Sequence, residues 1–134
     1  MVVGAGVFGA AMAYRLALKT RKSEQMKIVV VDKNAEAASE TTGAAGGLIS
    51  SDVKFPEAKA LLKPAERLHR ELAADPAFQD AYRSTTLHSI VEDASGSTIP
   101  GYEALGKRYK LETKSQCLLV QPAKLTKQLL QQAM

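Results

Sequence analysis

The stretch VVGAGVFGAAMAYRLA at the start of the chain constrains the fold more than any other part of it. Its glycines are Gly4, Gly6 and Gly9, which is the spacing G-x-G-x-x-G. In a dinucleotide-binding βαβ unit the first glycine permits a tight turn out of a strand and the second leaves room for a pyrophosphate. The third lets the helix pack closely on the strand. Backbone N–H groups around Val7 and Phe8 would then face the phosphates at the positive end of the helix dipole.

The residues around this turn supply the other parts of such a unit. Residues 1–3 are apolar and predict the end of a buried strand, and AAMAYRLALKT predicts a helix. The continuous apolar run MKIVVVD predicts a parallel strand covered on both faces. Asp32 ends this strand near the offset of roughly 20 residues expected for an acid that binds a ribose. A carboxylate there repels a 2′-phosphate, which argues against NADP, although Lys33 beside it would soften that repulsion.

Bulk properties exclude several classes of protein. The 134 residues, 46% hydrophobic and 24% charged, suit one ordinary globular domain. The net charge of +4 is mild and its cations are dispersed, which does not indicate a nucleic-acid-binding face. The sequence shows neither a membrane-spanning run nor a secretory signal, so we expect the cytoplasm or an organelle lumen. The single cysteine, Cys117 in the apolar run CLLV, predicts a buried thiol in a reducing compartment.

Beyond Asp32 the pattern changes several times. Residues 34–51 are rich in Ala, Gly, Ser and Thr without a period, so we expect backbone hydrogen bonds or a ligand to fix them. FPEAKALLKPAERLHRELAAD predicts a helix that Pro64 interrupts or restarts and that residues 75–76 end. Short strands are predicted at residues 85–91 and at CLLV, with a polar, weakly patterned stretch between them. Pro122 is predicted to open a closing helix whose apolar stripe is Leu125, Leu129 and Ala133.

The stretch ASETTGAAGGLIS, which follows Asp32, bears on the choice between NAD and FAD. Together with VVGAGVFGAAMAYRLA and KIVVVDK, it resembles the FAD-dependent oxidoreductases of the D-amino-acid oxidase, glycine oxidase and sarcosine oxidase group. The resemblance is strong over about the first fifty residues and weaker over PEAKALLKPAERLHREL and LLVQPAKLTKQLLQQA. It implies an α/β fold, a Rossmann-like βαβ FAD-binding domain with parallel strands and flanking helices, present here in incomplete form.

The resemblance also implies roles for individual positions. The glycine turn and the backbone after it would hold the FAD pyrophosphate, and Asp32 would bind the adenosine ribose. Lys33 would lie beside the adenine end, and Thr41 and Thr42 would contact the phosphates. A stretch of small residues that runs along the flavin ring corresponds to Ala45, Gly46, Gly47 and Leu48.

Parts that these enzymes use for substrate have no counterpart in the sequence. A later strand beside the adenine, a second FAD-contacting segment and a substrate domain follow in the family. We therefore predict a single, partial FAD/NAD(P)-binding domain over residues 1–134. Within it, residues 1–52 form the dinucleotide site and flavin-contacting segment, and residues 53–134 form helices and short strands leading toward a substrate domain.

The sequence offers no convincing catalytic residue or metal ligand. His69 is predicted to be a solvated helix residue near Glu66 and Arg70, and His88 a strand residue without a role. Neither histidine stands at metal-ligand spacing from Cys117. Tyr102 and Tyr109 are interpreted as packing or surface residues. The catalytic residues are therefore left unassigned.

The resulting hypothesis is the FAD-binding portion of an oxidoreductase that oxidises the CH–NH bond of amino acids or secondary amines, inactive as an isolated fragment. Its partner would be a small-molecule amine or amino-acid substrate in the full-length enzyme. Two alternatives stay open, an NAD-dependent dehydrogenase fragment and a catalytically silent nucleotide-binding or interaction module. An incomplete fold of this kind exposes a sheet edge and an apolar helix face, so self-association is also expected.

Overall fold

A computed structural model describes residues 1–20, 27–51, 55–97 and 108–134. Over these ranges the helices and strands follow one another in the order β1 (Val2–Val3), α1 (Val7–Thr20), β2 (Val30–Val31), α2 (Thr41–Ala44), β3 (Leu48–Ile49), α3 (Pro56–Ala74), β4 (Tyr82–Ser97), β5 (Tyr109–Val120) and α4 (Pro122–Ala133). A single 3-10 turn, Gln79–Ala81, connects α3 to β4.

Strands β1 and β2 pair with each other in parallel, and α1 connects them in sequence. This is the predicted βαβ arrangement. The N–H of Val2 donates to the Val29 carbonyl at 2.7 Å, and the N–H of Gly4 donates to the Val31 carbonyl at the same distance. Strand β2 is shorter than the predicted MKIVVVD, whose Met26 lies outside the described residues. The physical reason is the partner, because β1 offers only two residues before the chain turns into α1.

Helix α1 packs on this pair through small residues. Ala10, Ala13 and Ala17 are buried. A Cβ placed on Gly9 would lie 1.8 Å from the Gly4 carbonyl oxygen, so the helix approaches the turn more closely than any side chain allows. Helix α1 also packs against α4, with Ala10 in the same core cluster as Leu125 and Leu129, which the sequence did not indicate.

Strands β3, β5 and β4 form a second sheet, which is antiparallel and has β5 in the middle. Leu48 stands opposite Leu119, and Tyr82 opposite Val120. The prediction of two short strands was wrong in length, since both strands of the hairpin extend far into the polar stretch. Hydrogen bonds between the strands hold this extension, and such bonds leave no hydrophobic period in the sequence.

The core lies where the second sheet meets helices α1 and α4. Its buried members are Ala10, Phe78, Ala81, Tyr82, Leu118, Val120, Leu125 and Leu129. The rings of Phe78 and Tyr14 meet edge to face with their centroids 5.4 Å apart. Cys117 is buried with a free thiol, as predicted.

Helix α3 runs without a break from Pro56 to Ala74, so the prediction that Pro64 interrupts or restarts it was wrong. Pro64 and Ala60 are both exposed, and water can therefore bind the Ala60 carbonyl that loses its intrahelical donor. The helix ends at Asp75, as predicted. None of its residues is fully buried. Among the helices of the described ranges, none combines the length and the apolar character that crossing a bilayer requires.

Candidate dinucleotide site

The turn between β1 and α1 has the backbone geometry that the glycine spacing predicted. Gly4 has a φ of +98°, in the left-handed region that glycine adopts without strain. Helix α1 then begins at Val7, so the N–H groups of its first turn point toward the open end of the strand pair. These groups and the helix dipole favour an anion at this position.

Thr42 lies against the start of this helix. Its Oγ1 accepts a hydrogen bond from the N–H of Val7 at 3.2 Å, although the two residues are far apart in sequence. A Cβ on Gly6 would lie 3.2 Å from the same oxygen, so a side chain at position 6 would press on the hydroxyl. Thr42 therefore acts as a helix cap supplied from another segment.

Asp32 stands at the end of β2 with both carboxylate oxygens engaged. Oδ2 accepts from the N–H of Ala5 at 2.6 Å, and Oδ1 accepts from the N–H of Asn34 at 2.8 Å. These two bonds, that from Ala5 above all, lower the pKa of Asp32 below its ordinary value. The group is thus a carboxylate at neutral pH, and each oxygen keeps a lone pair that a ribose hydroxyl can use.

A cavity of about 240 Å³ brings these groups together. It is lined by Gly4, Gly6, Asp32, Asn34, Ala38, Ser39, Glu40, Thr41 and Thr42. Pockets that enclose a whole ligand usually measure about 300–1,000 Å³. The size of this cavity therefore fits one part of a dinucleotide, its ribose and phosphates, rather than the whole of it.

The segment between Asp32 and α2 forms one wall of the cavity. Ala38 is buried and has a φ of 60°, and its N–H donates to the Ala5 carbonyl at 3.1 Å. A Cβ on Gly43 would lie 2.3 Å from the Ala38 carbonyl oxygen. Backbone hydrogen bonds and close approach thus fix this segment, as its composition predicted.

Comparison with known proteins identifies the family and the fold. The family model described as DAO, FAD dependent oxidoreductase, matches residues 1–134. The chain belongs to the DAO family of FAD-dependent oxidoreductases. Among solved structures, glycine oxidase from Bacillus cereus ATCC 14579 superposes with a TM-score of 0.68 at 18% sequence identity. The alignment covers 98% of this chain and 43% of that one, so the chain spans less than half the length of its structural neighbour. Curated proteins give no match.

These findings confirm the predicted family resemblance and the α/β fold class with a parallel strand pair and flanking helices. Of the predicted site residues in this DAO-family chain, Gly4, Gly6, Asp32, Thr41 and Thr42 line one cavity. The assignment of all the predicted positions to parts of the cofactor stays a prediction.

The other predicted residues near the turn lie outside the cavity lining. The N–H of Val7 donates a hydrogen bond to Thr42, and the Cα of Gly9 faces the carbonyl of Gly4. The side chain of Phe8 is 90% exposed, so only its backbone belongs to the turn. Lys33 points to Glu40, with Nζ 2.7 Å from Oε1.

The small-residue stretch after α2 divides into two kinds of position. Ala45 and Gly46 are exposed, and a Cβ on Gly46 would meet nothing within 4 Å. Gly46 also lines a second cleft of about 590 Å³, together with Arg83 and Pro122. Gly47 has a φ of +72°, and a Cβ there would lie 1.9 Å from the Val120 carbonyl oxygen. The second sheet therefore requires glycine at position 47, and Leu48 begins β3 beside it.

Sequence reasoning missed four residues that line the cavity, namely Asn34, Ala38, Ser39 and Glu40. Ala38 acts through backbone groups, for which the side-chain pattern gives no signal. Asn34 bonds to Asp32 through its backbone N–H, and its side chain also bonds to Asp32 and Glu40. Glu40 could have been noticed in the sequence, because it is the only charged residue in ASETTGAAGGLIS.

His69 is not the solvated residue that the helix pattern predicted. It is half-buried, and its Nδ1 forms a hydrogen bond of 2.7 Å with the hydroxyl of Tyr82. Burial lowers the pKa of His69 and raises that of Tyr82, so both groups are neutral near pH 7. The helix pattern could not show this contact, because Tyr82 belongs to β4.

The other residues considered as catalytic residues or metal ligands have no assigned role. His88 is exposed on β4. Tyr102 lies outside the described residues, and Tyr109 is the first residue of β5. In the ranges that the structure describes, no three His, Cys, Asp or Glu side chains are grouped so that they could hold a metal ion.

Proposed function

We propose that this chain binds FAD at the cavity beside Gly4 and Gly6, as the cofactor-binding part of an enzyme that oxidises CH–NH bonds of amino acids or secondary amines. One observation carries the proposal: three segments distant in sequence meet at the start of α1 and present complementary groups there. They are the glycine turn, Asp32 at the end of β2, and the hydroxyl pair of α2. Membership of an FAD-dependent family favours FAD over NAD.

The groups present fit the adenosine diphosphate half of FAD. The N–H groups of the first turn of α1 beyond Val7, whose own N–H is bonded to Thr42, would bind the diphosphate together with the hydroxyls of Thr41 and Thr42. Asp32 would accept from the ribose. Lys33 would lie toward the adenine end. Because the backbone at Gly46 is bare and open, the segment Ala45–Leu48 would let a flat ring lie against it.

FAD supplies the acceptor for the hydride removed from carbon. The part of this chain in that reaction is to bind and orient. The lowered pKa of Asp32 keeps a carboxylate ready for the ribose at any pH near neutrality. The covering of the flavin face and the orientation of an amine would come from residues outside this chain, so we propose that the chain alone is inactive.

The first experiment is a titration of the purified chain with FAD, followed by flavin fluorescence and by ultrafiltration. We expect retention of FAD, weaker retention by Asp32→Ala, and unchanged retention by His88→Ala, whose exposed side chain lies on β4. Tighter binding of NAD than of FAD would support a dehydrogenase fragment instead. A folded chain that binds neither nucleotide would overturn the proposal and favour a silent interaction module.

The second experiment addresses the substrate class. The FAD-loaded chain, and any longer natural protein that contains it, are offered glycine, sarcosine and D-alanine while hydrogen peroxide and flavin bleaching are recorded. We expect turnover only by the longer protein. If no primary or secondary amine bleaches its flavin, the proposed substrate class is wrong.

We also propose that the isolated chain self-associates. Several large apolar side chains are exposed to solvent, among them Val3 at 75% and Leu61 at 77%. Such exposure favours association. Sedimentation velocity over a range of concentrations tests this, and a monomer at every concentration would contradict it.

A further inference from the structure

Three charged side chains stand at the ribose end of the cavity: Asp32, Lys33 and Glu40. Asp32 and Glu40 both line the cavity, whereas Lys33 does not. Lys33 is instead turned to Glu40, with its Nζ 2.7 Å from Oε1. The cavity lining therefore contains two carboxylates and no cation.

The ion pair changes what Lys33 can do. Beside a ribose-binding acid, a free lysine would attract an additional phosphate on the sugar. The hydrogen bond to Glu40 raises the pKa of Lys33, and the same bond lowers the pKa of Glu40, so both groups are charged at neutral pH. Glu40 thus holds the Lys33 ammonium group and adds a second negative charge to the wall.

We propose that Glu40 determines nucleotide specificity at this site by excluding a ligand with a 2′-phosphate. The accepted ligand class is an adenosine diphosphate moiety whose 2′-hydroxyl is free. This inference rests on the proposed function, because it presupposes that the ribose binds beside Asp32.

The pair is suited to a specificity role and contributes little to folding. The side chains of Lys33 and Glu40 are 74% and 59% exposed, and exposed pairs of this kind stabilise proteins only slightly. Substitution of Glu40 should therefore leave the fold intact. The chain also offers a matched control in Glu36, another exposed carboxylate, whose Oε2 lies 3.1 Å from Lys127 Nζ and which does not line the cavity.

The test measures binding of ADP-ribose and of 2′-phospho-ADP-ribose by isothermal titration calorimetry. The wild-type chain, Glu40→Gln and Glu36→Gln are compared at low salt, with circular dichroism to verify folding. We expect the wild-type chain and Glu36→Gln to bind the 2′-phosphorylated ligand at least about tenfold more weakly. In Glu40→Gln this ratio should fall by roughly fivefold, the size of one unit-charge interaction at about 4 Å in water.

Two further readouts separate this role from a general effect on the fold. The affinity of Glu40→Gln for ADP-ribose should change less than its affinity for the 2′-phosphorylated ligand, and high salt should reduce the change in ratio. Adding Lys33→Gln to Glu40→Gln should restore most of the discrimination. If Glu40→Gln keeps the wild-type ratio while ADP-ribose still binds, the inference is wrong and the proposed function stands. If the wild-type chain binds neither ADP-ribose nor FAD, both are wrong.

Discussion

The two parts of the molecule are packed by opposite means. Around the glycine turn the buried hydrophobic residues are alanines, such as Ala5, Ala13 and Ala38, and backbone approaches backbone closely. Around the second sheet and α4 the buried residues are large, with Phe78 and Leu125 among them. The difference follows from the proposed task, since a site built from backbone N–H groups must keep side chains out of the way. Added atoms should therefore destabilise the first part, and removed atoms should destabilise the second.

The largest effect is expected where volume is removed from the second part. Phe78 is fully buried, and Phe78→Ala should destabilise the chain by about 3–5 kcal/mol, because a large cavity replaces the ring. Urea denaturation measures this loss. Phe8→Ala is the matched control, since its ring is 90% exposed and its loss should change stability by no more than about 0.5 kcal/mol. Similar losses for both variants would break the comparison.

In the first part the expected effect comes from one added methyl group. Gly9→Ala would put a Cβ within 1.8 Å of the Gly4 carbonyl oxygen, so the helix must move away from the turn. We expect a loss of at least about 1–3 kcal/mol, the usual range for overpacking, together with loss of FAD retention. Gly46→Ala, whose Cβ would meet nothing within 4 Å, should leave the stability unchanged. If the two alanine variants behave alike, close approach does not explain Gly9.

A smaller effect is expected from the side chain that connects α2 to the turn. Thr42→Val keeps the shape but removes the acceptor of the Val7 N–H, which should cost about 1 kcal/mol, as for the loss of other helix caps. Thr42→Ser keeps the hydroxyl and should restore the stability. Amide hydrogen exchange at Val7, read by NMR, should be faster in the valine variant only. Equal exchange in all three chains would show that the cap contributes nothing.

The smallest effect is a pH dependence that belongs to the second part. Burial lowers the pKa of His69, so below about pH 6.5 the unfolded chain takes up a proton that the folded chain does not. Stability should therefore fall as the pH is lowered through the window between the ordinary pKa of histidine and the lower folded value. Glu66 and Arg70 are the nearby charged residues on α3, and they bond to each other. Hydrogen bonds from Ser51 and Arg70 lower the pKa of Glu66, so this carboxyl group titrates below the window.

Urea midpoints measured from about pH 8 down to about pH 5.5 test this pH dependence, since histidine changes charge in that range. His69→Gln should flatten the slope. His88→Gln, at an exposed position on β4, should leave the slope as it is in the wild-type chain. An unchanged slope in His69→Gln would show that another group causes it.

The glycine turn was predictable because its requirements are local. Gly4 needs a left-handed backbone and Gly9 a missing side chain, and both demands appear in the sequence as glycine at fixed spacing. Asp32 could be found in the same way, as the residue that ends the second strand. Glu40 could be noticed as the lone charge in its segment, but its place in the cavity wall could not be predicted, because it depends on how residues 34–40 fold back onto Ala5.

The second part was less predictable because its contacts connect residues distant in sequence. The length of the β4–β5 hairpin depends on hydrogen bonds between strands, whose polar side chains show no period. His69 lies on a helix that the sequence described well, yet its environment is set by Tyr82 on another element. Pro64 was expected to break α3, but exposure of the preceding turn lets the helix continue.

The attachment of α3 has a consequence for how the molecule opens. Leu72 and Ala73, near its end, pack against the core, and His69 bonds to the core residue Tyr82. Elsewhere on the helix, Glu66 accepts from the N–H of Ser51 at 2.9 Å and Arg70 donates to the Gln116 carbonyl at 3.3 Å. Such contacts exchange readily for water. The first turns of α3 should therefore detach as a separate unit while the glycine turn stays folded. A protease supplied in limiting amount would find its earliest cleavage sites there, and the remaining chain would still retain its nucleotide.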